Sequence, residues 1–272
     1  MPIAAVNDIQ INYRLEGEGP ETIVLVNGLA DDLTTWDYQV PAFLEAGYRV
    51  LRFDNRGVGQ TSKPEGPYTS RMLADDAKAL VDHLGITDFH LMGTSMGGMI
   101  SQEYAINYGS DLRSLVLSCT YAAPGPFCSR LFTVWAELAP THGVPFIMRE
   151  VTLWAFTQDF FETRPSELAA FEDEMAAMPW PAEAYLSQLN IIREHDTTDR
   201  LSRITVPTLV QAGEEDILIP VRLSRRLHKG IPDAEWATTR GGHACLWEHP
   251  DHFNTTLLEF WARHRRAASP AG

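Results

Sequence analysis

From Thr22 to Ser118 the hydrophobic period switches again and again between that of a strand and that of a helix, and this alternation constrains the chain more than any other feature. Thr22 to Val26 is an unbroken apolar run, as a strand buried on both faces of a parallel sheet requires. Residues 34–46 read as a helix closed by Gly47, and Tyr48 to Phe53 as the next strand. Residues 71–84 make an amphipathic helix stopped at Gly85, and Asp88 to Met92 a short strand. A helix then starts at Ser95 or Met96 and runs to Tyr108, and Leu112 to Ser118 is apolar and strand-like. Short connections between such elements mean right-handed parallel β-α-β units, hence an α/β fold with a mostly parallel, doubly wound sheet. Ahead of it, Ile3 to Val6 and Ile9 to Leu15 flank Asn7-Asp8 as a hairpin.

The rhythm fails between Tyr121 and Arg200, where the periods are helical, prolines recur and no strand pattern stands out. It resumes at Thr208 to Ala212, with a helix over 221–229, a strand from Glu235 to Thr239 and a last helix over 247–266. The expected organisation is a core of residues 1–120 and 201–272, with 121–200 inserted as a helical lid. A chain of 272 residues fits one such domain.

Composition narrows the function. Asp and Glu number 36 against 22 Lys and Arg, a net charge of −14, which argues against nucleic acid and anionic membrane as partners. Cys119, Cys128 and Cys245 are too few and scattered for a disulfide framework, and their spacing suggests no metal site. The N-terminus lacks the basic and apolar regions of a signal peptide, so a soluble cytoplasmic protein is expected. Homo-oligomerisation stays open.

The strongest local signal is Gly93-Thr94-Ser95-Met96-Gly97-Gly98, set between a strand and a helix. The pattern G-x-S-x-G alone arises by chance roughly 0.1 times in a chain of this length. Its context adds weight: a tight strand-to-helix turn strains the serine backbone, and glycines two before and two after avoid a clash. With this motif, the inserted helices and the segment Asp54-Asn55-Arg56-Gly57-Val58-Gly59-Gln60-Thr61-Ser62, the chain resembles the α/β-hydrolase superfamily over essentially its whole length. Within it, the last segment resembles the D-x-R-G-x-G-x-S loop of the capped esterase, lactonase and haloperoxidase-like branch. Val26-Asn27-Gly28-Leu29 and Pro64 to Thr69 also resemble 3-oxoadipate enol-lactonases.

That resemblance implies a Ser-acid-His triad in chain order, with no metal or organic cofactor. Ser95 is the expected nucleophile. Asp216, in Gly213-Glu214-Glu215-Asp216, is the implied orienting acid, and His243, after two glycines beyond the last strand, the implied base. The oxyanion hole is expected from the backbone N–H groups of Met96 and Leu29. Asn27 stands where the family more often has histidine, which puts in doubt the hydrogen bonding that histidine would supply. Asp54 and Arg56 are expected to buttress their loop, Glu248 to favour a helix N-terminus, and Cys245 to be packed. Met96 and Met99 are packing residues, with Met96 expected nearer the substrate.

Residues 121–200 hold 12 aromatics, including Trp180. Most are expected only to bury the helical layer, while a few, with Trp135, Phe146 and Trp154 as candidates, line an apolar pocket over Ser95. The same stretch holds 12 acidic and 5 basic residues, which opposes an anionic substrate unless a buried Arg130, Arg149 or Arg164 binds it. The expected function is hydrolysis of a small, largely apolar ester or lactone. An enol-lactonase or C–C bond hydrolase of aromatic catabolism would share these residues, and a ligand receptor on the same fold is the alternative of another class.

Overall fold

The computed structural model describes residues 2–178 and 181–265, so Trp180 and the end of the last helix expected at 266 lie outside the described residues. Strands β1 (Ile3–Val6) and β2 (Ile9–Glu16) pair antiparallel, with Val6 opposite Ile9. The two-residue turn has φ of 49° at Asn7 and 61° at Asp8, conformations that Asn and Asp tolerate best after glycine. The sheet continues with β3 (Thr22–Val26), β4 (Arg49–Phe53), β5 (Phe89–Thr94), β6 (Leu112–Ser118), β7 (Thr208–Gly213) and β8 (Glu235–Thr239). Its order is β1-β2-β4-β3-β5-β6-β7-β8, with β2 antiparallel to β4 and all pairs from β4 onward parallel.

Helices cover both faces. Helices α1 (Val40–Glu45) and, at the end of the chain, α10 (Cys245–Glu248) and α11 (Pro250–Arg263) close one core around Trp36, Phe43, Phe253 and Trp261. On the other face lie α2 (Ser70–His83), α3 (Met96–Tyr108) and α9 (Val221–Gly230). Five more helices fill the interval between β6 and β7: α4 (Pro126–His142), α5 (Val144–Ala155), α6 (Gln158–Thr163), α7 (Pro165–Ala177) and α8 (Ala182–Glu194). Among the described residues, no helix is long and apolar enough to cross a membrane.

Two helices expected from periodicity are each divided. Residues 34–46 become a 3₁₀ turn at Leu33–Trp36 and then α1, because Pro41 lacks the N–H a continuing helix needs and suits the first turn of a new one. The last helix breaks at His249, whose φ of −137° reflects the restriction Pro250 places on its predecessor.

Candidate active site

Ser95 occupies the turn between β5 and α3, with φ 54° and ψ −120°, outside the regions an L-residue prefers. A Cβ on Gly93 would lie 2.1 Å from the Gly97 carbonyl oxygen, and one on Gly97 would lie 2.1 Å from that of Val26. Neither position admits a side chain, so the glycine spacing follows from close backbone approach. The turn is held by the Ser95 N–H on the Ser118 carbonyl at 2.9 Å and by the Thr120 hydroxyl on the Ser95 carbonyl at 2.8 Å.

Asp216 follows β7 and is buried. One oxygen accepts from the Ile219 N–H at 2.8 Å, and the other meets His243 Nδ1 at 2.8 Å. Burial disfavours the imidazolium, yet the Asp216 charge and hydrogen bond, joined by Cys119 and Asp31, hold the His243 pKa above its ordinary value. His243 arrives through Gly241, at φ 100°, and Gly242, packed against the Ala155 carbonyl. Ser95 and His243 line one cavity of about 80 Å³.

The oxyanion candidates lie where two chain segments meet. Met96 opens α3, and Leu29 lines the cavity from the β3 turn, where a Cβ on Gly28 would sit 3.5 Å from Ser95 Cβ. Asn27 supplies that turn with hydrogen bonds after all. Its amide donates to the carbonyls of Phe53 at 2.8 Å and Asp31 at 3.2 Å, and its oxygen accepts from Trp36 Nε1 at 2.7 Å. Asp54 accepts from the N–H groups of Leu33 and Gln60, both at 2.8 Å, and Arg56 pairs with Asp76, as buttressing residues do.

Two expectations need correction. Helix α5 turns Met148, Val151, Thr152 and Ala155 to the cavity, the spacing of one helical face. Phe146 therefore falls on the outer side, 47% exposed and against the His142 ring, and Trp154 turns away to Glu150 and Phe127. Trp135 does line the cavity, its indole N–H donating to Glu150. Met99, one turn beyond Ser95, lines it in place of Met96, which is fully buried. Glu248 lies in the first turn of the four-residue α10, as expected, and does more besides: its carboxylate accepts from the N–H of Gly242 at 2.9 Å and from the Thr157 hydroxyl. None of Arg130, Arg149 and Arg164 is among the lining residues.

Sequence reasoning missed several participants. Asp31, Phe156, Phe171 and Trp247 line the cavity. Gln188 of α8 accepts from the Ala30 N–H at 3.0 Å and donates to the Arg56 carbonyl at 2.7 Å, tying the inserted helices to both loops beside Ser95. These pairings span long stretches of chain and leave no local pattern.

A second serine–histidine pair, Ser70 with His195 at 2.9 Å, has a different character. The far nitrogen of His195 faces the neutral Gln102 and Thr197, burial presses its pKa down to about 4, and neither residue lines the cavity. Among the described residues no carboxylate is hydrogen-bonded to that histidine, so the pair is a packing contact. The ligating atoms of Cys119, Asp216 and His243 lie within 4.8 Å of one another, but the hydrogen bond between the latter two would have to break to admit a metal. Cys245 is packed with its sulfur 3.6 Å from that of Cys119.

A family model described as the alpha/beta hydrolase fold matches residues 21–250. Similar proteins include one named as a carbamate hydrolase, RutD, from Azorhizobium caulinodans, 31% identical over 96% of this chain and 98% of its own. Another is the 3-oxoadipate enol-lactonase 2 of Acinetobacter baylyi, 30% identical over 91% of each chain. Among solved structures, the enol-lactonase of Burkholderia xenovorans is 32% identical with a TM-score of 0.89, over 96% of this chain and 100% of the other.

Proposed function

We propose that this chain, which belongs to the alpha/beta hydrolase fold family, is a serine hydrolase that cleaves small, largely apolar carboxylic esters or lactones through an acyl-enzyme. The observation that carries the reading is the junction of a strained Ser95 and an Asp216-paired His243 at one apolar cavity. Ser95 Oγ attacks the carbonyl carbon while His243 takes its proton through Nε2. Asp216, bound to the Nδ1 side, holds the ring and offsets the charge it gains. The Met96 and Leu29 N–H groups receive the oxyanion, which forms only in the transition state, so that their help falls on the rate. On collapse, His243 passes the proton to the departing alkoxide. A water molecule, deprotonated in turn by His243, attacks the acyl carbon and regenerates Ser95.

The lining supports a neutral acyl group. Phe132, Trp135, Met148 and Leu218 line the cavity with Ser95, and no Lys or Arg is among the described lining residues, which disfavours a lactone that bears a carboxylate. The test is turnover of p-nitrophenyl butyrate by the wild type and by Ser95→Ala. A loss of about 10³-fold or more is expected, and equal rates would overturn the reading. A panel of esters, lactones and β-diketones ranks the bond types, and turnover faster than once in many minutes excludes a receptor.

A further inference from the structure

Asp31 lines the cavity that holds Ser95 and His243 and is the only carboxylate among its described lining residues. The site that a Gly28 Cβ would occupy lies 2.6 Å from Asp31 Oδ2 and 3.5 Å from Ser95 Cβ, so carboxylate and nucleophile flank one small volume. The Gly28 N–H bonds to this carboxylate, and no Lys or Arg is among the described residues that line the cavity. Phe156, Phe171 and Trp247 line the cavity and also, with Asp31, the groove that adjoins it.

A carboxylate in a cavity lined by aromatic rings, with His243 as its one cationic neighbour among the described lining residues, is costly to ionise. Burial, then the charge of Asp32, push the Asp31 pKa up to about 7, against the opposing pull of His243 and the Gly28 N–H. The deficit is what a positively charged ligand group would repair: aromatic faces and one carboxylate are the surroundings in which a desolvated ammonium is stabilised. The adjoining groove adds Asp32 and Glu174, together with Asp37, which pairs with Arg52, and Glu167, which pairs with Arg164; with no Lys or Arg among its described lining residues, the approach to Ser95 is acidic on balance and favours cations as well.

We infer that Asp31 selects substrates that carry an ammonium group, protonated or quaternary, close to the scissile carbonyl. The inference rests on the ester-hydrolase reading above and narrows its substrate class. It adds nothing to the acyl-transfer steps themselves; it concerns which ester is held.

The experiment compares two esters of equal shape, 2-(trimethylammonio)ethyl butyrate and its carbon isostere 3,3-dimethylbutyl butyrate, as a ratio of kcat/KM. The wild type is expected to favour the cationic ester by about tenfold. Asp31→Asn, or Asp31→Ser if the first variant does not fold, brings the ratio to about one, whatever it does to the absolute rates. Because both esters depend equally on His243, the ratio reports Asp31, and in the wild type it rises as pH passes upward through about 7. The charged groups around Asp31 are Asp32 from its own segment and His243, and the groove it shares also carries Asp37, paired with Arg52, and from α7 Glu174 and Glu167, the latter paired with Arg164. A wild-type ratio of one or less overturns the inference, and so does a preference that survives both variants. A loss of both rates with the ratio intact assigns Asp31 to the hydrolytic steps instead and also overturns it. If neither ester is turned over, the hydrolase reading has failed, and the inference is decided by calorimetric Kd values of the two parent alcohols for wild type and Asp31→Asn, with the same ratios expected.

Discussion

Glu248 accepts a hydrogen bond from the backbone N–H of Gly242 at 2.9 Å, one residue ahead of His243. Its carboxylate also receives the Thr157 hydroxyl, from the connection between α5 and α6, so one buried side chain joins the histidine loop to the inserted helices. Glu248→Ala strands the Gly242 and Thr157 donors in a buried site, at about 1–3 kcal/mol each. We expect a clear fall in Tm and a drop in kcat with the His243 loop loosened. Glu248→Gln keeps one acceptor oxygen and recovers part of both. Equal Tm for Glu248→Ala and wild type, by calorimetry, would refute the tether.

Ser95 stores strain for position. At φ 54° and ψ −120° it pays, by the usual scale, about 1–3 kcal/mol that glycine would not. Ser95→Gly should therefore be more stable than Ser95→Ala by about 1 kcal/mol while both are inactive. The comparison uses Ala because it lacks the hydroxyl but keeps the Cβ. A Ser95→Gly less stable than Ser95→Ala would show that the backbone is not strained.

Much of this site was legible because its parts are local. Ser95, Asp216 and His243 each sit just past a strand, in turns whose glycines mark where backbones nearly touch: Gly93 against Gly97, Gly213 against Gly242. The β-α alternation gave element order for the same reason, since burial on both faces leaves an apolar run that any reader can find. What escaped depends on distant partners. Gln188 meets Ala30 and Glu248 meets Gly242 and Thr157 only after the chain has folded, and neither residue lies in a motif. Asn27 looked like a loss of hydrogen bonding, yet its amide is long enough to reach the Phe53 and Asp31 carbonyls and accept from Trp36.

The inserted helices show the same limit in their aromatics, because composition counts rings without saying which face carries them. Trp135 is buried at the cavity, whereas Phe146 is on the outer side of α5. Trp135→Ala should raise KM for a butyrate ester and cost about 3–5 kcal/mol of stability. Phe146→Ala should change stability by less than about 0.5 kcal/mol and leave KM alone. Urea unfolding and initial rates check both, and a KM effect at Phe146 larger than at Trp135 would reverse the assignment.

The acid limb of activity follows from the Asp216–His243 pair. In the proposed mechanism His243 serves as a base only when neutral, and Asp216 holds its pKa above the ordinary imidazole value. Activity is thus lost as pH falls through that raised pKa. Asp216→Asn removes the negative charge, so the midpoint of the acid limb in kcat/KM should move to lower pH while the plateau falls by about 10⁴-fold. A midpoint that stays in place would mean that another group controls the limb.

His195 makes acid stability a separate readout. It is buried, paired with Ser70, and desolvation holds its folded pKa down to about 4, against about 6.5 in an unfolded chain. Between these values the unfolded state binds a proton that the folded state refuses. Its contribution is therefore fully present above about pH 6.5 and is lost as pH falls towards 4, a change of order 3 kcal/mol. Buried His90, with a pKa lowered to about 3 by desolvation and then by Arg113, adds a decline of the same sign that continues further down. Urea unfolding of wild type and His195→Asn across this range separates the two. The variant starts less stable because a buried ring is replaced, but its stability should fall less steeply between pH 6.5 and 4. Parallel curves would show that His195 is protonated in the folded protein and that its burial carries no cost in charge.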